Sequence, residues 1–357
     1  MHYAVKSNTE IDYLSVPPSP QPERQRLTIV DVARHAGVST ATVSRVLNDS
    51  QTVKADNRQA VLQAMSELDY RPNRLAANLR RQQAQMIGVL VSDIENPHFT
   101  EMVRAVEDEA YRRGHRVLLC NTDERADKQR DYLNVLAAER VIGVILSPTD
   151  PAAPEIRELL DLDIPLVAFD REVDDPRAGS VTADNRDGAR RATQHLIDLG
   201  HRDIAFLGGP DTAQTGRERR LGYEDAIAQA GLASHFRSGQ FRIAPAREAT
   251  TKLLAEDPPT AIVAGNNLMS IGVLQALRAA GRRVPDDIAL VSIDDPFWAA
   301  LTEPPLTALA QPVATMAETA VELLLGGIEQ HAAVSRKVVY DMELKVRGSC
   351  GGGGDAP

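Results

Sequence analysis

The run from Thr28 to Asn48, TIVDVARHAGVSTATVSRVLN, permits very few folds. Ile29, Val32, Ala33 and Ala36 recur at helical spacing; Gly37 breaks the pattern, and Val38, Val43, Val46 and Leu47 resume it. Ala33 is small where two helices must cross closely. Gly37 supplies the permissive backbone of a tight turn. Val43 closes the small core from the second helix. Thr28 with Asp31 can cap the first helix, and Ser39 the second. This alanine–glycine–valine spacing is that of a helix-turn-helix, whose second helix enters the DNA major groove. That helix leaves Thr40, Ala41, Thr42, Ser44, Arg45 and Asn48 off the core face. They are short polar groups and one arginine, suited to base edges and phosphate oxygens. A plain helical hairpin inside a larger domain is the competing reading of the motif taken alone.

Charge favours the DNA reading. The chain of 357 residues carries a net charge of -10, which taken alone argues against nucleic acid. Its distribution reverses that. From Arg24 to Arg81 ten Lys or Arg face five Asp or Glu; from Gln82 onward 29 face 42. A basic head on an acidic body is the footprint of a DNA-binding module joined to something else. Cys120 and Cys350 lie far apart without neighbouring histidine clusters, so neither a disulfide framework nor a zinc site follows. A reduced cytoplasmic protein is expected. No apolar run approaches the roughly 18 residues of a membrane span. Residues 1–26 are proline-bearing, lack helical periodicity and read as a disordered extension, as does a tail from 349 to 357.

A third helix is expected from Lys54 to Leu68, ended by Tyr70, Arg71 and Pro72. The head thus spans 27–72. Asn73 to Arg81, NRLAANLRR, has helix-forming residues but is too short to stand alone, and 73–84 reads as a linker that can fold conditionally. From Met86 short apolar strands alternate with amphipathic helices in two series, an α/β rhythm that predicts parallel sheets covered on both faces. Two doubly wound subdomains are expected within a core at 85–348: 85–183 with 312–328, and 184–311 with 334–348. A ligand site belongs at the C-terminal strand ends, in the cleft between them.

Polar residues gather at those strand ends: Ser92 and Asp93, Asn121 and Asp123, Asp170 and Arg171, Asp184 and Asn185, Asn266 and Asn267, Asp294 and Asp295. Singly, such residues are turn and cap formers. Repeated at many strand ends, they suit a polyhydroxylated or polar small molecule. A catalytic role finds little support. There is no Gly-x-Ser-x-Gly elbow, no P-loop and no dinucleotide fingerprint after Gly208, and the histidines are scattered. No catalytic residue, metal or cofactor is expected.

From about Leu27 to Gly348 the chain resembles the lactose-repressor-type family of bacterial transcription regulators. The resemblance rests on the helix-turn-helix run, YRPNRLAANLRR, IGVLVSDIENPHF, Asp184-Asn185, HLIDLGHRDIAFLGG, RRLGYEDA, SIDD and PPLTALAQP. It implies a three-helix head, a hinge helix and a periplasmic-binding-protein-like core. It also implies a homodimer on pseudo-palindromic operator DNA. Thr40, Ala41 and Arg45 match base-choosing positions; Thr28, Ser39, Thr42, Ser44 and Asn48 look like phosphate or supporting contacts. Leu79 matches a side chain that wedges a central base step, with Asn73 and Ala76 as the other DNA-facing hinge positions. His98, Phe99, Asp170, Arg219, Phe241, Asn266 and Asp294 match the effector pocket, joined by Asp93 at its strand end.

The resemblance implies a repressor governed by a sugar or sugar derivative. The alternative is a corepressor-dependent regulator sensing a phosphorylated metabolite or a partner phosphoprotein. Two departures bear on that choice. Gln240 and Asn267 stand where relatives often carry acids, which leaves room for an anionic ligand, and an inward Arg242 would add to that. A solvated Arg242 is the expectation from surface statistics.

Overall fold

The computed structural model describes residues 28–47, 53–68, 70, 85–330 and 333–352. The chain divides into two compact units, Met1–Leu79 and Arg80–Pro357. The hinge positions Asn73, Ala76 and Leu79, the residue Asn48 and the extension 1–26 lie outside the described residues.

In the head, α1 (Ile29–Ala36), α2 (Thr40–Leu47) and α3 (Ala55–Glu67) enclose one small core of Val32, Ala33, Val43, Val46, Val61 and Ala64. The expected cap forms: the Asp31 carboxylate accepts the Thr28 backbone N–H at 2.9 Å and its hydroxyl at 2.7 Å. Gly37 sits at φ +68°, the left-handed conformation that ends α1, and the Val38 N–H then reaches Ala33 O at 3.1 Å. Ser39 Oγ accepts the Thr42 N–H at 3.2 Å and so caps α2. His35 Nε2 meets Glu67 Oε2 at 2.7 Å, joining α1 to α3.

The second unit is built on two six-stranded sheets. The first has the order β11-β5-β4-β3-β1-β2, with β1 at Met86–Val91, β2 at Arg116–Asn121, β3 at Gly143–Leu146, β4 at Leu166–Phe169, β5 at Gly179–Ala183 and β11 at Lys337–Tyr340. The second has the order β12-β10-β9-β8-β6-β7, with β6 at Ile204–Gly208, β7 at His235–Ser238, β8 at Ala261–Ala264, β9 at Ala289–Ile293, β10 at Thr307–Ala310 and β12 at Glu343–Lys345. Pairing is parallel except for β12 against β10. The central strands are continuously buried, as they must be with helices on both faces. Among the described residues no helix is long and apolar enough to cross a membrane.

Two expected boundaries are corrected. Residues 334–348 do not all join the second subdomain: β11 pairs with β5 in the first sheet, Lys337 opposite Ser180, and only β12 joins the second. The tail does not start at 349. Gly348–Cys350 forms a short 3-10 turn in which Ser349 Oγ donates to Leu290 O at 2.6 Å and accepts the Thr307 N–H at 2.7 Å, so Ser349 and Cys350 are buried against the second sheet.

Candidate functional site

The cleft is assembled from strand ends and helix starts of both subdomains. Asp93 follows β1. Asn96 caps the Pro97–Arg112 helix by accepting the His98 N–H at 3.0 Å, which fixes His98 and Phe99 in its first turn. Asp170 follows β4 and Asp294 follows β9, at φ +68° and +69°. Aspartate tolerates this left-handed turn better than most residues. From the second subdomain come Arg219 on the Gln214–Gln229 helix, Phe241 before the Ile243–Glu256 helix and Asn266 at the cap of the Asn267–Ala279 helix. All eight expected effector residues line one cavity of about 30 Å³.

Its polar groups are largely paired. Arg219 donates to Asn185 Oδ1 and to Gly265 O, each at 2.7 Å, and its Nη2 lies 4.0 Å from Asp294 Oδ1. The Arg219 guanidinium stands 5.9 Å from the Phe241 ring centre. Asp294 accepts from Gln311 Nε2 at 2.6 Å. Arg171 donates twice to the Glu124 carboxylate, at 2.6 and 2.8 Å. Burial opposes its charge, yet Glu124 and Asp170 hold its pKa above the ordinary value. His98 Nε2 lies 3.5 Å from Asp170 Oδ1, and neither ring nitrogen makes a close hydrogen bond. Burial pushes His98 down, but the facing carboxylate outweighs it, so its pKa is raised; Asp170 is correspondingly lowered.

On the head, Thr40, Ala41 and Arg45 are exposed, while Thr42 and Ser44 are half-buried. Their spacing puts Thr40, Ala41, Ser44 and Arg45 on one face of α2, opposite the buried Val43 and Val46. Thr28 and Ser39 are exposed, each already engaged in a cap.

Sequence comparison assigns the chain. Residues 28–73 match "Bacterial regulatory proteins, lacI family", and residues 84–345 match "Periplasmic binding proteins and sugar binding domain of LacI family". The chain belongs to the LacI family. It is 38 % identical over 327 residues to the ribose operon repressor of Halalkalibacterium halodurans, covering 91 % of this chain and 98 % of that one. It is 36 % identical over 331 residues to the HTH-type transcriptional repressor PurR of Photobacterium profundum, covering 90 % and 98 %. The Lac repressor dimer bound to operator and the anti-inducer ONPF is similar at 30 % identity and a TM-score of 0.74, covering 91 % and 99 %.

Within this LacI-family cleft, sequence reasoning passed over Asn96, Glu124, Thr215 and the pairing of Arg171. Glu124 sits in a loop after β2, and nothing in its spacing marks it as the partner of Arg171. Arg242 needs correction. It is not a solvated side chain: Nη1 donates to Asp93 Oδ2 at 2.7 Å and Nη2 to Asp123 Oδ1 at 2.9 Å, both across the cleft. Its charge is therefore spent on carboxylates and does not prepare the cleft for an anion. Gln240 lies outside the cavity lining and bonds Ser238 Oγ at 2.7 Å.

Proposed function

We propose that this LacI-family chain is a sequence-specific transcriptional repressor whose operator affinity is set by a small neutral sugar held between the core subdomains. The observation that carries the ligand class is the pairing of every arginine that lines the cleft: Arg171 with Glu124, Arg219 with Asn185, Gly265 O and Asp294, and Arg242 with Asp93. Arg171 and Arg242 are matched by carboxylates, and Arg219, with Nε and Nη1 engaged, turns Nη2 toward Asp294 at 4.0 Å, so each guanidinium of the lining already faces a carboxylate that an anionic ligand would have to displace. Carboxylate and amide groups beside the Phe99 and Phe241 rings suit hydroxyls and the apolar face of a sugar ring. The relative named as a ribose operon repressor makes a pentose the first ligand to test. A phosphorylated effector is not favoured.

The role is binding and coupling rather than catalysis, and it is exercised in the cytoplasm. Arg45 and Thr40 read base edges, Ala41 meets a thymine methyl, and Thr28, Ser39, Thr42, Ser44 and Asn48 steady the backbone contacts. Leu79, with Asn73 and Ala76, acts in the minor groove, and two chains bind a pseudo-palindromic operator. A thermal-shift series on the full chain with D-ribose, ribose 5-phosphate and hypoxanthine tests the ligand class. Stabilisation by D-ribose alone supports it. Stabilisation only by the phosphate ester or the base overturns it.

A further inference from the structure

Arg242 joins the two subdomains at the mouth of the cleft. It comes from the second, just before the Ile243–Glu256 helix, and reaches two carboxylates of the first: Asp93 after β1 at 2.7 Å and Asp123 after β2 at 2.9 Å. One guanidinium thus ties together three chain segments. Its neighbours Gln240 and Phe241, and Asp123 opposite, all take left-handed backbone at φ +54° to +57°. The non-glycine segments on both sides of the tie are therefore held in turns that such residues rarely adopt. A third bond crosses the cleft from Asn267 Nδ2 to Asn96 Oδ1 at 2.8 Å. A fourth runs from the Glu172 N–H to Gln214 Oε1, also at 2.8 Å.

These ties hold the cleft around a cavity of about 30 Å³. That is room for one or two waters, against the roughly 300 Å³ or more of ordinary ligand pockets. A sugar ring is larger than this space, so its entry requires the lining to part, and of these four bonds only the two made by Arg242 are ionic.

We infer that Arg242, clasped by Asp93 and Asp123, is a positioning residue that competes with the effector. It stabilises a shut cleft from which a neutral sugar is excluded, and so sets the effector concentration at which the repressor responds. The inference rests on the neutral-sugar reading of the same cleft. Its consequence is unusual. Affinity for an uncharged ligand is multiplied by the fraction of molecules with the clasp released, and that fraction grows as the ion pair weakens. The Arg242 side chain is 32 % exposed, so salt reaches it.

Asp123 separates this role from direct ligand contact. It does not line the cavity, its side chain is 45 % exposed, and besides Arg242 it pairs with Lys128 at 3.8 Å and lies within electrostatic reach of Arg125 and Asp93. Titration calorimetry of D-ribose against the full chain is run from about 0.01 M to about 1 M salt, over which screening shortens from about 30 Å to about 3 Å. The wild type binds more tightly as salt rises. Asp123→Asn and Arg242→Gln bind about threefold to tenfold more tightly at low salt, and their salt dependence flattens. Weaker binding in both variants, or wild-type affinity unaffected by salt, overturns the clasp.

A ligand-free arm keeps the two readings apart. Spin labels at Asp131→Cys and Glu248→Cys, on exposed helical positions of the two subdomains, report their separation. The clasp predicts a longer, broader distance distribution with Arg242→Gln or Asp123→Asn. An unchanged distribution contradicts it. If the distance shifts and no pentose binds, the clasp stands and the sugar reading fails.

Discussion

His98 Nε2 stands 3.5 Å from Asp170 Oδ1, and both side chains are at least nine-tenths buried. This pair ties the start of the Pro97–Arg112 helix to the turn after β4, inside the cleft. Its contribution to stability has a pH window. The raised His98 contributes fully below the ordinary histidine value of 6.5 and loses its contribution as pH rises through its higher folded value. The lowered Asp170 contributes above the ordinary aspartate value of 3.8 and loses its contribution as pH falls through its lower folded value. Both are in place between 3.8 and 6.5. Thermal melts of the wild type should therefore lose stability from this pair on going alkaline. The His98→Phe variant should lose that part of the pH dependence; a variant with the wild-type profile would remove the pair from the account.

Arg219 is 4 % exposed and makes its two shortest bonds to Asn185 Oδ1 and Gly265 O. Arg219→Ala leaves a buried amide oxygen and a buried carbonyl without that donor, a loss of about 2–4 kcal/mol. Urea unfolding of the core should show it. The same variant should lose its response to D-ribose, while operator binding measured without the sugar persists.

The head rests on six buried residues, so each methyl group weighs heavily. Val43 is fully buried on α2. Val43→Ala should cost about 1–3 kcal/mol and abolish operator binding before it affects D-ribose binding. Full DNA affinity in the variant would mean that α2 does not depend on this core.

Arg45 is exposed on the same face of α2 as Thr40 and Ala41. Arg45→Ala should cost about 1–3 kcal/mol at one base pair of each half-site and relax its identity, as judged by binding to a panel of single-base operator variants. A uniform loss at every position would make Arg45 a phosphate contact instead.

The α/β rhythm was legible because central strands such as Val144 to Leu146 and Ile262 to Ala264 are apolar throughout. The edge strand β7, HFRS, was not, since an edge needs no such run. The two C-terminal strands, KVVY and ELK, carry no mark of which sheet each joins, so the last crossing between subdomains was misplaced. Strand-end position gathered Asp93, Asp170, Asn266 and Asp294, because a doubly wound sheet brings those ends together, whereas His98, Phe99, Arg219 and Phe241 were reached only through the family resemblance. The fate of Arg242 was not readable. Its partners Asp93 and Asp123 lie 149 and 119 residues away in sequence, and exposure statistics favoured solvent.

The central claim is that a neutral sugar in the core controls a DNA-reading head. The most direct test selects duplexes from a random library with the full chain, then measures affinity for the enriched site with and without D-ribose at fixed salt. The account predicts a pseudo-palindromic site and an affinity that changes about tenfold or more with the sugar. Enrichment of no such site, or an affinity that D-ribose and every other neutral pentose leave unchanged, would contradict it.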